Sequence, residues 1–521
     1  MWSDALHRHW YTLPVLSAVL LILSFHPFSL WPLAFIAAAP LYYFAATYRS
    51  LRGMLLGAFV AGALFSMSVS FFTVVQFHWL PEAYLFTRLV NFSFILLAVL
   101  GGLCWAAIML AYRLLRSDSI LLNTLVGTAL FTLHEAFLYA LFGGYYFALL
   151  GYAVAPAGIL LWLANIGGVL LVTFVVAAVS PFLVEVVLRG RSRTHTSVVA
   201  GGALALVCAG LLFLGYAFVI VPPDTHTLSF ALIQPGKTIG FGTEERGSFS
   251  FPELERRIAD AVKEPPDVLV YPFSPVEGAI YRGAVKPPLT RGVLITSEDT
   301  LAAWLAARVP ADTTAVIWTT LYDQEKFSNT FLFFKNGVRV AQYEKRTLFP
   351  FIDYTPQWAQ RFGFFSTPFD TVPGAAGQEV EIDGVRVGAV LCSEIHRQDV
   401  ARSEAGESSF LLSIGSEAMF VDDVASHFTL TAAQFRAAEN TLPEVRANLL
   451  GPSGFIHSNG EIVAELARGE DGILKGEMSL PAPHTTYFSR WGNTPLLALL
   501  VAVLMGAYWM RRRAGLNLES L

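Results

Sequence analysis

The sequence predicts an α-helical membrane bundle of eight spans joined to one α/β sandwich domain. Its 521 residues are 54% hydrophobic and only 14% charged. The mean hydropathy of +0.53 is too high for a soluble protein. Eight apolar segments each approach or exceed the ~20 residues that a helix needs to cross the hydrocarbon core. Between the last two lies a long stretch in which charges, Gly and Pro appear, and in which strand-like and helix-like patterns follow one another.

The arginines between the apolar segments predict the orientation of the chain. The eight segments are residues 11–28, 31–48, 54–78, 89–112, 120–142, 158–188, 198–221 and 495–510. Arginines follow the second, fourth, sixth and eighth segments, whereas the loops on the other side contain Arg88 alone. Because arginine-rich loops remain in the cytoplasm, we expect both termini inside and the long polar stretch outside.

The composition changes sharply at Pro222, and this predicts three parts. We expect a seven-span transmembrane domain at 1–222, an extracytoplasmic domain at 223–490, and a final span with a cytoplasmic tail at 491–521. The net charge of −5 and the absence of a long basic block argue against nucleic acid as a partner. The histidines are scattered without ligand-like spacing, so we expect no metal and no cofactor.

The outer domain reads as strands interleaved with helices and hairpins. Apolar or alternating runs predict strands at 228–234, 267–271, 315–320, 385–391 and 410–414, and helical periodicity marks 252–263, 301–308 and 425–441. Three hairpins are predicted at 329–343, 381–387 and 455–463, two of them with Asn-Gly at the turn. This pattern favours two mixed sheets with helices outside, an αββα sandwich.

One carboxylate lies deep in an apolar segment. Glu135 stands near the middle of the fifth predicted span. Charged groups in a membrane are costly and often functional. A hydrogen bond that packs one helix against another is an equally good explanation, and both stay open from sequence.

Three residues of the outer domain carry candidate chemistry. Cys392 directly follows the apolar run 385–391, and a thiol there is a nucleophile if a neighbour favours its thiolate. It is the only cysteine outside the spans, so no disulfide partner exists within the domain. Lys345 follows a hairpin, and Glu277 follows the second strand. Taken singly, an inert cysteine, a solvated lysine and a loop glutamate explain them as well.

Together with other segments, these residues resemble a known family. The segments are Phe25-His-Pro-Phe-Ser-Leu-Trp-Pro-Leu-Ala-Phe35, Glu135 with Gly151-Tyr152, Lys345-Arg-Thr-Leu-Phe-Pro-Phe351, Gly388 to Glu394, and Phe435-Arg-Ala-Ala-Glu-Asn440 with Val445-Arg-Ala-Asn448. Their order and spacing over nearly the whole chain resemble the bacterial apolipoprotein N-acyltransferases. The resemblance implies eight spans and an extracytoplasmic nitrilase-like domain.

The resemblance also implies roles for individual residues. Cys392 matches the nucleophile of the nitrilase superfamily and Lys345 its lysine. The third catalytic group, a glutamate, does not match, because the family has Trp-Pro-Glu where this chain has Tyr271-Pro272-Phe273. A phenyl ring cannot accept a proton. We therefore expect Glu277 to act as the base.

The neighbouring positions depart from the family in other ways. Ser393 replaces the tyrosine of Cys-Tyr-Glu, and Asp353 replaces a glutamate. Ser416-Glu-Ala-Met419 stands where the family has Asn-Asp-Ala-Trp. We expect Glu394, Asp353 and Ser393 to contact substrate, with Asp353 and Glu394 as alternative bases.

The function implied by the resemblance is a ping-pong acyl transfer in the bacterial cytoplasmic (inner) membrane. An acyl chain would pass from a phospholipid to Cys392 as a thioester, and then to the N-terminal amine of a diacylated apolipoprotein. A membrane-tethered amidase or hydrolase, and a non-catalytic homologue that binds lipoproteins, are the alternatives. Phe273 favours the last of these, whereas Cys392 and Lys345 argue against it.

Overall fold

The computed structural model describes two compact units. The described residues are 11–74, 85–189, 194–218, 222–236, 251–272, 279–282, 295–350, 352–361, 371–417 and 423–513. The first unit comprises Met1–Gln76, Arg88–Val219 and Thr486–Leu521, and the second comprises Phe77–Thr87 and Ile220–Thr485.

The first unit is helical. Its α-helices are Thr12–Ser24, Ala39–Thr47, Leu51–Val74, Leu85–Leu115, Ile120–Leu141, Leu150–Ala153, Ala164–Arg189, Thr194–Phe218, Tyr487–Trp491 and Thr494–Arg513. Short 3₁₀ helices occur at Trp31–Phe35, Ala155–Ala157 and Ile159–Leu163.

Within the described residues, six helices are long and apolar enough to cross a membrane. They are Leu51–Val69, Ile95–Leu115, Ile120–Leu141, Ile159–Arg189, Val199–Ala217 and Thr494–Arg513. The first two predicted segments form shorter apolar helices, Thr12–Ser24 and Trp31–Thr47. Pro27 lies between them and Pro32 is the second residue of the second helix, and proline interrupts a continuous helix. The helices fit a multi-pass membrane protein, and the count of eight spans stays a prediction.

Glu135 is a packing residue in this unit. Its carboxylate accepts hydrogen bonds from the backbone N–H of Leu150, at 2.7 Å, and from the hydroxyl of Thr173, at 2.8 Å. The Thr173 oxygen in turn accepts from the backbone N–H of Gly151, at 3.0 Å. The side chain therefore ties three segments together, and both of its oxygens are satisfied without a ligand.

The second unit contains two β-sheets. Its strands are β1 (Asp224–Gln234), β2 (Val268–Tyr271), β3 (Ala279–Tyr281), β4 (Ile295–Ser297), β5 (Thr314–Asp323), β6 (Lys326–Lys335), β7 (Val338–Glu344), β8 (Glu381–Ile382), β9 (Val385–Leu391), β10 (Phe410–Ser416), β11 (Glu444–Leu449), β12 (Ser453–Ile456), β13 (Ile462–Leu466) and β14 (Gly472–Pro481). One sheet has the order β14-β1-β2-β5-β3-β4, with β6 and β7 paired in succession beside β5. The other has the order β13-β12-β11-β10-β9-β8.

The described part of this unit also contains α-helices. They are α1 (Phe251–Ala261), α2 (Glu298–Ala306), α3 (Gln357–Arg361), α4 (Gln398–Ala405) and α5 (Asp423–Asn440). One apolar core lies between the two sheets, where Phe230 of β1 meets Phe410 of β10 with ring centroids 5.6 Å apart. A second core joins α1 and α2 to the first sheet, and a third joins α4 and α5 to the second sheet. The predicted αββα sandwich is thus confirmed.

The predicted hairpins form at their turn residues. Asn336 and Gly337 have φ values of 49° and 70°, which is the left-handed geometry of the two-residue turn that joins β6 to β7. Asp383 and Gly384 make the same kind of turn between β8 and β9. The sequence did not indicate β14, which pairs with β1 from Asp224↔Pro481 to Gln234↔Gly472.

The inter-sheet core sets the stability of this unit. Phe410→Ala is expected to lower its free energy of unfolding by about 3–5 kcal/mol, because a fully buried ring leaves a cavity. Thermal unfolding of the detergent-solubilised protein measures the change. Val340→Ala is the control, because Val340 is 52% exposed on β7. Equal shifts in the two variants would contradict this description of the core.

Candidate active site

Cys392 stands at the abrupt end of a buried strand. β9 is buried from Val387 through Leu391, and the chain then turns into a 3₁₀ helix, Cys392–His396. Cys392 itself has a φ of 54°, a left-handed conformation that a non-glycine residue adopts at some energetic cost. Such a turn lifts a side chain out of the strand, and here it leaves a half-buried thiol at the carboxyl end of β9.

The Glu394 carboxylate anchors this turn. One oxygen accepts hydrogen bonds from the Tyr343 hydroxyl and the Leu391 N–H, each at 3.0 Å. The other accepts from the N–H groups of Arg346 and Thr347, at 2.7 and 2.8 Å. Glu394 is fully buried. Burial raises the pKa of its carboxyl, while Lys345 and the three backbone N–H groups oppose that rise.

Lys345 and Asp353 form a buried ion pair. The Lys345 Nζ lies 2.6 Å from the Asp353 Oδ2, and both side chains are almost completely buried. Asp353 also accepts a hydrogen bond from the Asn329 amide, at 2.5 Å, and one from the Phe349 N–H, at 2.6 Å. Burial alone would lower the pKa of Lys345, but Asp353, the Cys392 sulfur and Glu394 outweigh it and raise that pKa. The lysine is therefore an ammonium at neutral pH.

The thiol faces this ammonium and two backbone donors. Burial raises the pKa of Cys392, and the nearby Asp353 charge adds to the rise. The Lys345 charge and hydrogen bonds from the backbone of Ser416 and Ser393 act in the opposite direction, since they favour the thiolate. The same ammonium and N–H groups are the kind of donors that stabilise a developing oxyanion.

The structure brings together Cys392, Lys345, Asp353 and Glu394 from among the predicted site residues. Ser393 follows the thiol, and its hydroxyl is buried without a hydrogen bond to the described part of the chain. Glu277 lies outside the described residues, as does Phe273.

Sequence reasoning missed two residues of the site, Tyr343 and Asn329. Both could have been predicted from their positions in the predicted hairpin at 329–343. Residues two apart in a strand share a face, so Tyr343 belongs beside Lys345. Asn329 opens the predicted hairpin, and its carbonyl accepts a hydrogen bond from the Lys345 N–H at 2.7 Å.

Comparisons with known proteins match both units. Residues 17–181 match the family model for the apolipoprotein N-acyltransferase N-terminal domain, and residues 284–483 match the model for carbon-nitrogen hydrolases. The apolipoprotein N-acyltransferase of Pseudomonas putida is 26% identical over 498 residues, covering 93% of each chain. That of Geobacter metallireducens is 25% identical, covering 98% of this chain and 97% of the relative. That of Azotobacter vinelandii is 26% identical, covering 96% and 95%.

Removing the Lys345 charge is expected to weaken the thiolate. In Lys345→Met, the pKa of Cys392 rises further, because the ammonium that lowers it is lost. Alkylation of Cys392 by iodoacetamide at pH 7 then becomes slower, and intact-protein mass spectrometry across a pH series measures the rate. Lys335→Met is the matched control, since Lys335 pairs with Asp383 at a hairpin turn. Identical pH profiles for the wild type and Lys345→Met would rule out the effect of the Lys345 ammonium on the Cys392 thiol.

Proposed function

Because the chain belongs to the apolipoprotein N-acyltransferase family, we propose that it transfers an acyl chain from a phospholipid to the N-terminal amine of an S-diacylglyceryl-cysteine lipoprotein. The observation that carries the proposal is the Lys345 ammonium beside the Cys392 thiol, on a chain that also has apolar helices. Both substrates are lipids, and a membrane protein meets them in the plane of the bilayer.

The first half-reaction forms a thioester. The Cys392 thiolate attacks the ester carbonyl of the phospholipid, and Lys345 stabilises the oxyanion of the tetrahedral intermediate. The carbon–oxygen bond then breaks, and the lysophospholipid leaves with the proton that the base removed from the thiol. The acyl chain remains on the sulfur.

The second half-reaction forms an amide. The free α-amine of the diacylated lipoprotein attacks the thioester carbonyl, the carbon–sulfur bond breaks, and the Cys392 thiolate is regenerated. The base accepts the proton that the amine loses. No metal or cofactor enters either step.

Glu277 is our candidate for that base. The two alternative bases, Glu394 and Asp353, are both engaged in other contacts. Each oxygen of Glu394 accepts two hydrogen bonds. Asp353 is held by Lys345, Asn329 and Phe349. Neither carboxylate can take the thiol proton without giving up contacts that hold the site. Glu277 follows β2 by six residues and stands four positions after Phe273, which replaces a glutamate of the family.

The proposed location is the bacterial inner membrane, with the sandwich domain on the periplasmic face. The arginine distribution supports this orientation. Glu394 and Asp353 shape the site, and Ser393 borders the sulfur where substrate enters.

Acyl transfer from lipid to Cys392 is directly measurable. Incubation of the purified protein with a phospholipid that carries a labelled acyl chain should leave a hydroxylamine-sensitive label on Cys392, detected by mass spectrometry. A diacylated lipopeptide should then remove the label as a triacylated product. The Cys392→Ser variant serves as the control, and it should carry no such label. Removal by water alone would instead identify a hydrolase, and a folded wild type without label would contradict acylation and favour a non-catalytic homologue.

Loss of the base is expected to slow this labelling. Glu277→Gln should acylate Cys392 on the order of a hundredfold more slowly, because general base catalysis contributes that much or more. Single-turnover labelling measures the rate. Glu461→Gln, which alters an exposed carboxylate beside the β12–β13 turn, is the control. An unchanged rate in Glu277→Gln would mean that another group accepts the proton.

A further inference from the structure

A second buried ion pair lies beside the nucleophile, and neither half-reaction uses it. Glu417 follows the last residue of β10, and its Oε1 accepts hydrogen bonds from Arg446, at 2.7 Å, and from the Asn448 amide, at 2.9 Å. All three side chains are at least 96% buried. Burying a charge pair carries a desolvation cost that apolar residues would avoid. Because apolar residues would avoid this cost, a functional role would explain why the cluster is charged.

The cluster is next to Cys392 in space. A Cβ atom added at Gly415 would lie 3.5 Å from the Cys392 Cα and 3.7 Å from the Asn448 Nδ2. Gly415 thus lies close to both the Cys392 backbone and the Asn448 side chain. The next residue, Ser416, provides one of the two backbone hydrogen bonds that favour the Cys392 thiolate.

Glu417 holds the end of β10 at two points. Its backbone N–H donates to the Leu449 carbonyl at 3.1 Å, which extends the parallel ladder between β10 and β11. Its side chain reaches Arg446 and Asn448 on the same strand, β11. Gly451 leaves room for the carboxylate, because a Cβ there would lie only 2.7 Å from the Glu417 Oε2. Ser416 is therefore followed directly by a residue that is fixed through both its backbone and its side chain.

We propose that Glu417 is a positioning residue, which through Arg446 and Asn448 fixes the end of β10 so that the Ser416 backbone points its hydrogen bond at the Cys392 sulfur. This bond stabilises the thiolate as it attacks and again as it leaves the thioester. The second part of the statement rests on the acyl transfer proposed above. The first part concerns only the thiol and does not depend on any substrate.

The direction in which the pKa of the Cys392 thiol changes when Glu417 is replaced distinguishes positioning from a purely electrostatic effect. Removing the negative charge of Glu417 and leaving Arg446 unpaired would by itself favour the thiolate and lower the pKa of the thiol. Loss of the Ser416 hydrogen bond has the opposite effect. A merely structural cluster would change thermal stability and leave the thiol unaffected.

The test is the pH profile of Cys392 alkylation in Glu417→Ala. Positioning predicts a profile displaced to higher pH and a rate at pH 7 that is roughly tenfold lower, since loss of one such donor carries effects of that order or larger. Acyl loading from labelled phospholipid should slow by a similar factor at saturating phospholipid, with the KM for phospholipid unchanged. A profile that is unchanged, or displaced to lower pH, overturns the proposal.

A second variant covers the case in which Glu417→Ala does not fold. Asn448→Ser removes the 2.9 Å hydrogen bond to Glu417 without changing any charge. It should displace the profile in the same direction, and a folded Asn448→Ser with the wild-type profile overturns the proposal. Glu298→Ala is the control, because it removes a carboxylate that pairs with arginines, here Arg282 and Arg339, and it should leave the profile unchanged.

The two proposals fail in distinguishable ways. If wild-type Cys392 takes no acyl chain from phospholipid, the proposed function is wrong, and the alkylation profiles still decide the role of Glu417. If the wild type is acylated and Glu417→Ala is acylated at the same rate with the same profile, only the positioning role is wrong.

Discussion

The site depends on the hydrogen bonds that the Glu394 carboxylate accepts, because they join the two sheets at the positions of Lys345 and Cys392. It accepts from Tyr343 on β7 of the first sheet and from the two residues after Lys345, which follow β7. It also accepts from Leu391, directly before Cys392 at the end of the second sheet. A buried carboxylate with four donors is held firmly, since each lost hydrogen bond would leave a buried polar group unpaired. The segments that carry the lysine and the thiol are therefore held together by hydrogen bonds to one residue.

The buried charges around the thiol are also paired and held by hydrogen bonds. Lys345 is neutralised by Asp353, so the ammonium is buried without being isolated, and it still favours the thiolate. Asp353 is in turn fixed by Asn329 and by the loop that it closes. Such fixed dipoles and charges need no rearrangement when charge develops on a reacting oxygen. The same reasoning applies to Glu417 and Arg446, which are buried on the other side of Gly415.

Phe273 affects which group can accept the proton of the thiol. The family has a glutamate at that position of the sequence, whereas this chain has an uncharged phenyl ring that cannot accept a proton. The charges that shift the pKa of the thiol are those of the Lys345 ammonium and its partner Asp353. We propose Glu277, from another part of the sequence, as the acceptor of the thiol proton.

The sequence by itself determined the features that depend on neighbours along the chain. The apolar segments, the turns at Asn336-Gly337 and Asp383-Gly384, and the strand that ends at Cys392 follow from local periodicity and from the φ values that turn residues tolerate. The family resemblance added Lys345 and Cys392 as partners, and the geometry places them near one another. Only the tertiary structure decided which distant groups meet. Tyr343 and Glu394 are 51 positions apart, Glu417 and Arg446 are 29 apart, and β14 returns to pair with β1 at the start of the domain. No local pattern encodes such pairs, because a buried polar group is satisfied by whichever partner the packing of the two sheets brings within reach. From the sequence, Glu394 and Glu417 are simply two carboxylates. The structure shows which distant groups each of them binds.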